Sequence, residues 1–246
     1  MAASSDLIGD NLLLGRLVPE DRQRLARHLV ARQMQPGDTL QKSGDDVQHT
    51  WFPCGAACGG FRVAAEDGGN PVEVACIGRE GAIGGIVSNG RVPAYATAEV
   101  RAPGWFLMIR IEQLEDAKME SLALRHWLSR YSDCLVAQLL QNSACNARHT
   151  ITQRCARWLL AESGRTGSPD IAMTQEQLAA ILGVGRTFVT RVVGAMRAEG
   201  LIATQRGRIV LRDTEGLQKR CCDCSEVIAQ HYNAVMSGIY GPVGKS

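Results

Sequence analysis

Residues 173 to 202, MTQEQLAAILGVGRTFVTRVVGAMRAEGLI, constrain the fold more than any other stretch of the chain. Thr174 followed three positions later by Gln177 reads as a capping box that opens a helix. Leu178, Ala179 and Leu182 fall on its buried side, and Ala179 is small where another helix must cross closely. Gly183-Val184-Gly185 is a tight turn of the kind that joins two steeply crossed helices. A second helix is expected from about Arg186 to Glu199, with Val189, Val192, Val193 and Met196 facing inward and Gly200 as its left-handed stop. Leu201-Ile202 then start a strand, Arg206-Gly207-Arg208 turn, and Ile209 to Leu211 return. The order is that of a winged helix-turn-helix.

In such a unit the second helix reads the major groove, and its outward positions by spacing are Arg186, Thr187, Thr190 and Arg191. The two arginines suit guanine edges or flanking phosphates, whereas Thr187 and Thr190 offer a methyl or hydroxyl to a base or phosphate. Arg206 and Arg208 flank the wing glycine, and Thr174 with Gln175 stands at a helix start, so these four are expected to anchor the phosphate backbone without reading sequence. A helical hairpin with solvated arginines explains the apolar positions equally well, but not the sequence of capping box, turn, glycine stop and basic wing. The overall charge of +2 conceals an asymmetry: residues 1–150 carry 15 basic and 17 acidic side chains, whereas 151–246 carry 12 and 8. Twenty-three of the basic residues are Arg and four are Lys. The Arg fork favours phosphate and guanine, although genomic base composition produces the same bias.

The remaining sequence is organised differently. Residues 19–34 start with Pro19, place acids in the first turn, and space Leu25, Leu29 and Val30 on one face, which predicts a short amphipathic helix. From Gln35 to Ile109, Gly and Pro punctuate short runs at Thr50–Phe52, Phe61–Ala64, Val72–Ile77, Ala96–Val100 and Trp105–Ile109, with a hairpin-turn cluster at Asp67–Asn70. Strands at roughly 8 to 12 residue spacing predict an antiparallel sandwich or barrel. The class is therefore α+β: a β-domain over 1–110, a long helix over 111–150, and the winged helix-turn-helix domain over 151–246, in which a further helix is expected at Thr152–Ser163.

The segment Ile111–Arg148 lacks Pro and Gly, and Leu124, Leu128, Tyr131 and Leu135 recur at 4-3-4 spacing, continued by Gln138, Asn142 and Cys145. Such a heptad seam implies a helix partner, most simply the same helix of a second subunit, with Asn142 setting the register. The alternative is a helix packed on its own domain through Leu122, Trp127, Val136, Leu139 and Leu140.

No nucleophile elbow, phosphate loop or zinc-protease pattern occurs, so no enzyme is expected. No run of eighteen apolar residues exists, and Asp6 and Asp10 stand where a signal peptide carries a basic flank, so a cytoplasmic protein away from membranes is expected. Nine cysteines in such a compartment read as mostly free thiols rather than disulfides.

With Gly37-Asp38, Gly44-Asp45, Trp51-Phe52-Pro53 with Gly55, Gly78-Arg-Glu-Gly81 with Gly84, the helix-turn-helix, and the tail cysteines Cys221 to Cys224, the chain resembles the CRP/FNR family of bacterial transcription regulators over nearly its whole length. The resemblance implies a homodimer with a jelly-roll sensor domain and a dimerisation helix, which binds a palindromic site on double-stranded DNA and acts on RNA polymerase. The family's reading positions fall on Arg186, Thr187 and Arg191; members that read TGTGA-like or TTGA-like half-sites have Glu where this chain has Thr187.

In cyclic-nucleotide binders of the family, a Gly-Glu-Leu-Gly stretch holds the ribose and an Arg-Ser pair about ten residues later neutralises the phosphate. The matching effector segment here is Gly81-Ala82-Ile83-Gly84, followed by Tyr95 and Thr97. Ala82 replaces the carboxylate and no Arg stands beside Thr97; Arg91 precedes the segment and Arg101 is out of phase. A phosphate buried without a cation bears a large desolvation cost, so cyclic AMP is not expected to bind in the usual way. No cofactor is predicted, and an unidentified effector, a vestigial pocket governed by abundance, redox state or a protein partner, and a non-enzymatic scaffold remain alternatives. No metal site is expected either. Cys54-x3-Cys58 matches the family's iron–sulfur pattern poorly, and Cys221, Cys222 and Cys224 on one helix would point in different directions, which leaves a tail motif or a thiol switch. The histidines, with no i, i+4 pair among them, read as surface or packing residues, with a haem-ligand role as the alternative.

Overall fold

The computed structural model of the chain describes residues 4–64, 71–87 and 92–237. They fall into two compact units, one made of residues 4–62, 75–87, 92–138 and 230–237, the other of residues 63–64, 71–74 and 139–229. The hairpin turn expected at Asp67–Asn70, and Arg91, lie outside the described residues.

The first unit opens with α1 (Ser4–Leu7), α2 (Leu12–Gly15) and α3 (Pro19–Ala26). Eight strands follow: β1 (Val30–Met34), β2 (Thr39–Gln41), β3 (His49–Pro53), β4 (Cys58–Val63), β5 (Val72–Ile77), β6 (Ile83–Gly84), β7 (Thr97–Ala102) and β8 (Gly104–Arg110), with Val63 of β4 and Val72–Val74 of β5 counted in the second unit. They pair into two antiparallel four-stranded sheets of order β1-β8-β3-β6 and β2-β7-β4-β5, as the alternating strand pattern predicts. Leu40, Trp51, Ile77, Ile83, Ala98, Val100 and Phe106 fill a shared core.

The helix expected over 19–34 is shorter than its apolar spacing suggests. It stops at Ala26, and Val30–Met34 becomes β1, paired with β8 from Val30↔Met108 to Met34↔Gly104. A ladder along β8 satisfies the backbone of these five residues, and this pairing overrides the local preference.

The single long helix expected from Ile111 is two: α4 (Ile111–Glu120) and α5 (Leu122–Arg148). Ser121 breaks it in an extended conformation; its hydroxyl donates to Asp21 Oδ2 at 3.0 Å and accepts the Leu124 N–H at 3.1 Å, capping α5 without Gly or Pro.

The proposed seam faces inward. Leu124, Leu128 and Tyr131 are 0–2% exposed and pack with Trp127, Leu13, Leu14, Phe52, Leu107 and Leu114 inside the first unit, while Leu135 is packed against the same core. Trp127 also donates its indole N–H to the Leu13 carbonyl at 2.9 Å. The polar end of the stripe is satisfied within the chain too: Gln138 donates to Cys76 O at 3.5 Å and Asn142 to Val74 O at 3.2 Å. Leu124, Leu128 and Tyr131 are therefore core-facing and closed to an intersubunit seam, whereas Leu135, Gln138 and Asn142 are only partly buried. A heptad stripe has the same spacing whether its partner is a sheet or a second helix. The alternative face is corrected as well: Trp127 is buried, but Leu122, Val136, Leu139 and Leu140 are exposed.

The second unit contains α6 (Ile151–Thr166), β9 (Asp170–Ala172), α7 (Gln175–Leu182), α8 (Arg186–Ala198), β10 (Ile202–Gln205), β11 (Arg208–Leu211) and α9 (Thr214–Arg220), with α10 (Cys224–Met236) beginning in it. Its core joins Leu159 and Ile171 to Leu178, Val189, Val193, Met196, Ile209 and Leu217. Residues 230–237 belong to the first unit and not to a domain over 151–246, because Tyr232, Val235 and Met236 of α10 pack into the first unit's core. Among the described residues no single helix is long and apolar enough to cross a membrane.

Candidate nucleic-acid interface

The local chemistry of the helix-turn-helix forms as its sequence requires. Thr174 accepts the Gln177 N–H at 3.1 Å while Gln177 Oε1 accepts the Thr174 N–H at 2.9 Å, completing the capping box. Gly183 closes α7 with φ 63°, a left-handed conformation that favours glycine. The chain then turns by 110° into α8, within the range of this motif. Val189, Val193 and Met196 bury the inner face of α8, so Arg186, Thr187, Thr190 and Arg191 are left exposed.

The wing is a three-stranded sheet of order β10-β11-β9. Gln205 pairs with Arg208 across the Arg206-Gly207 turn, and the Gly207 carbonyl accepts the Met173 N–H at 2.9 Å. This bond ties the wing to the start of α7. Between them lies a groove of about 280 Å³ lined by Thr174, Gln175, Arg186, Gln205, Gly207 and Arg208, among others. Four of the residues singled out in the sequence (Thr174, Gln175, Arg186 and Arg208) thus meet in one concavity.

Three side chains have partners that spacing does not reveal. Thr190 donates to Gln175 Oε1 at 2.8 Å, its hydroxyl also lying 3.1 Å from Arg186 O, and so braces α8 against α7. Arg208 forms a two-pronged pair with Asp170, Nε to Oδ1 at 2.9 Å and a terminal nitrogen to Oδ2 at 2.7 Å, and this carboxylate raises the guanidinium pKa further. The Arg191 guanidinium stands 5.7 Å from the centre of the Phe188 ring, a cation–π contact that restrains its direction. Phe188 itself, half exposed on α8, was not among the residues expected at the interface, although a large aromatic side chain at an outward position is a visible signal.

The residues matched to an effector pocket differ in burial and partners. Ala82 and Ile83 are fully buried, Gly81 donates to the Gly78 carbonyl, and Gly84 pairs with Thr50 in the β3–β6 ladder. Tyr131 covers this segment: its hydroxyl accepts the Ala82 N–H at 3.0 Å. Tyr95 is 85% exposed, and Thr97 accepts the Ser43 N–H at 3.1 Å.

Residues 153–220 match the family model of the Crp-like helix-turn-helix domain. No curated protein matches the sequence. Solved structures share the fold at low identity. A chain assigned to the crp/fnr family of transcriptional regulators from Eubacterium rectale is 17% identical with a TM-score of 0.62, covering 85% of this chain and 97% of that one. FixK2 from Bradyrhizobium japonicum is 16% identical, with a TM-score of 0.62 over 79% of this chain and 98% of its own. The c-di-GMP responsive global regulator CLP from Xanthomonas campestris is 16% identical, with a TM-score of 0.62 over 79% and 99%. Residues 153–220 thus match the Crp-like helix-turn-helix domain, and the chain shares its overall fold with solved structures that include a chain assigned to the crp/fnr family.

Proposed function

We propose that the protein is a homodimeric regulator that binds palindromic DNA through α8, acts on RNA polymerase, and does so without cyclic AMP. The observation that carries the DNA reading is the groove between the starts of α7 and α8 and the wing. Exposed Arg186, Thr187 and Arg191 sit on α8 beside it, and exposed Arg206 sits on the wing. Arg186 and Arg191 contact base edges or flanking phosphates, Thr187 contacts a base, and Arg206 with the α7 start contacts the backbone. The exposed Val136, Leu139 and Leu140 on α5 support self-association, since side chains of this kind gain from leaving water. Independence from cyclic AMP is supported by Ala82, which lacks the carboxylate of nucleotide binders and is closed over by Tyr131.

Fluorescence anisotropy with a selected palindrome and with bulk DNA over a salt series tests the reading. Tight, salt-dependent binding to the palindrome, roughly a thousandfold or more above bulk DNA, is expected. Equal affinity for both, or a chain monomeric at micromolar concentration by sedimentation, overturns it.

A further inference from the structure

Among the described residues the nine cysteines form no disulfide, and three of them converge on a histidine. The donor atoms of Cys145, His149, Cys222 and Cys224 all lie within 4.8 Å of one another. Cys145 Sγ and Cys222 Sγ are 3.7 Å apart, and Cys224 Sγ and His149 Nδ1 are 3.5 Å apart. Zinc with bonds of about 2.3 Å to sulfur and about 2.0 Å to nitrogen sets the edges of its tetrahedron at about 3.8 Å for two sulfurs and about 3.5 Å for sulfur and nitrogen. Two edges of that figure are already in place.

The arrangement depends on where the helices stop. Cys145 lies in the last turns of α5 and His149 directly follows its last residue, Arg148; the His149 N–H donates to the Cys145 carbonyl at 3.0 Å, so one further helical turn keeps the two residues, four apart, on the same side. The tail cysteines were expected on one helix, but α9 ends at Arg220 with an extended Cys221, and α10 starts only at Cys224. Cys222 thus lies in the corner between the helices, free of the divergence that a continuous helix imposes. Cys221 is turned elsewhere, its thiol directed to the Cys222 carbonyl at 3.1 Å.

Packing alone does not account for the cluster. Cys145, Cys222 and Cys224 form a buried group of their own, separate from the leucine-rich and valine-rich cores. Gln141 Nε2 donates to Cys224 Sγ at 3.2 Å, the kind of outer bond that orients a metal ligand. The Arg157 guanidinium, held by Asn142 Oδ1 at 3.2 and 3.3 Å, brings positive charge beside the turn of α5 that carries Cys145. Three thiolates and a neutral imidazole around a divalent ion leave one net negative charge for it to balance.

We propose that Cys145, His149, Cys222 and Cys224 bind one zinc ion per chain, in a closed site that ties the α9–α10 corner to the end of α5. Binding displaces the thiol protons into solvent and changes no oxidation state. With four protein ligands no position is left for water or substrate, so the ion is structural. Its ligands bracket residues 153–220, so the metal closes the chain around the helix-turn-helix domain at both ends.

The test uses the full chain, purified under reductant, loaded with zinc and desalted, with metal read by elemental analysis. One zinc per chain is expected, and cobalt in its place should show the visible bands of a tetrahedral site with thiolate charge transfer. In chelator competition, Cys222→Ser and His149→Ala should lower affinity ~100-fold or more and Gln141→Ala ~10-fold, while Cys221→Ser stays within about twofold of the parent. Less than about a tenth of a zinc per chain, an octahedral cobalt spectrum, equal losses in Cys221→Ser and Cys222→Ser, or a Cys145–Cys222 disulfide in protein isolated without oxygen would each overturn the proposal. Metal content in the unsubstituted chain is read without any variant having to fold, and without DNA, so this result is independent of the DNA-binding reading.

Discussion

Tyr131 and Ala82 form a closed pair inside the first unit: the Tyr131 hydroxyl accepts the Ala82 N–H at 3.0 Å and lies 3.3 Å from the carbonyl of the same residue, to which it donates. Asn11 Nδ2 holds the preceding Gly81 carbonyl at 2.9 Å. A side chain on Gly81 would overlap the Tyr131 ring, so the approach requires glycine there.

Tyr131→Phe leaves the buried Ala82 N–H without its acceptor, which costs about 1–3 kcal/mol of stability. Gly81→Ala should cost at least as much, because ring and backbone must separate. Denaturant titration checks both. If Tyr131 instead lay on an intersubunit seam, Tyr131→Phe would alter the concentration dependence of sedimentation and leave unfolding of the isolated chain unchanged.

Cyclic AMP should give no heat of binding at micromolar ligand, since Ala82 supplies no carboxylate and its backbone is already engaged by Tyr131. Isothermal titration is the check, and a micromolar dissociation constant would refute this.

At the interface two arginines should behave differently. Arg191, restrained by Phe188, should discriminate a base, so Arg191→Ala should lose about 1–3 kcal/mol at one position of the half-site. Arg206 on the exposed wing turn should anchor phosphate, so Arg206→Ala should weaken all sequences alike and reduce the salt slope by about one. Uniform loss from both changes would contradict this assignment.

Arg208 is paired with Asp170, which limits what its charge offers to DNA. Asp170→Asn should therefore strengthen non-specific binding and steepen the salt dependence by about one ion. An unchanged slope would show that Arg208 reaches phosphate with its partner in place.

Burial pushes the thiols of Cys54 and Cys155 up from 9.0 to about 12. Both should resist thiol reagents in the native protein at pH 8 and react at the rate of unfolding. Because the folded state retains these protons after the unfolded chain has lost them, their contribution to stability is complete below about pH 9 and is lost as pH rises towards 12. Thermal midpoints should fall over that interval, and a flat profile would contradict the assignment.

Much of the reading domain was legible because its determinants are local. The Thr174–Gln177 box, the Gly183 stop and the inward valines of α8 each act within a few residues, so short-range spacing carries them. Interactions across long separations were not legible: Asp170 lies 38 residues from Arg208, and Cys145 lies 77 from Cys222. The Cys145–His149 spacing was visible, but it acquires meaning only when the tail returns to it.

Sequence alone determined the alternation of strands, the winged helix-turn-helix and its outward arginines, because periodicity and capping follow from backbone geometry. Tertiary structure decided that Val30–Met34 is a strand, that Tyr131 seals the Gly81–Gly84 segment, and that the stripe on α5 faces its own core. An apolar stripe specifies that burial will occur but carries no record of its partner. That partner is chosen by packing between residues far apart in the chain.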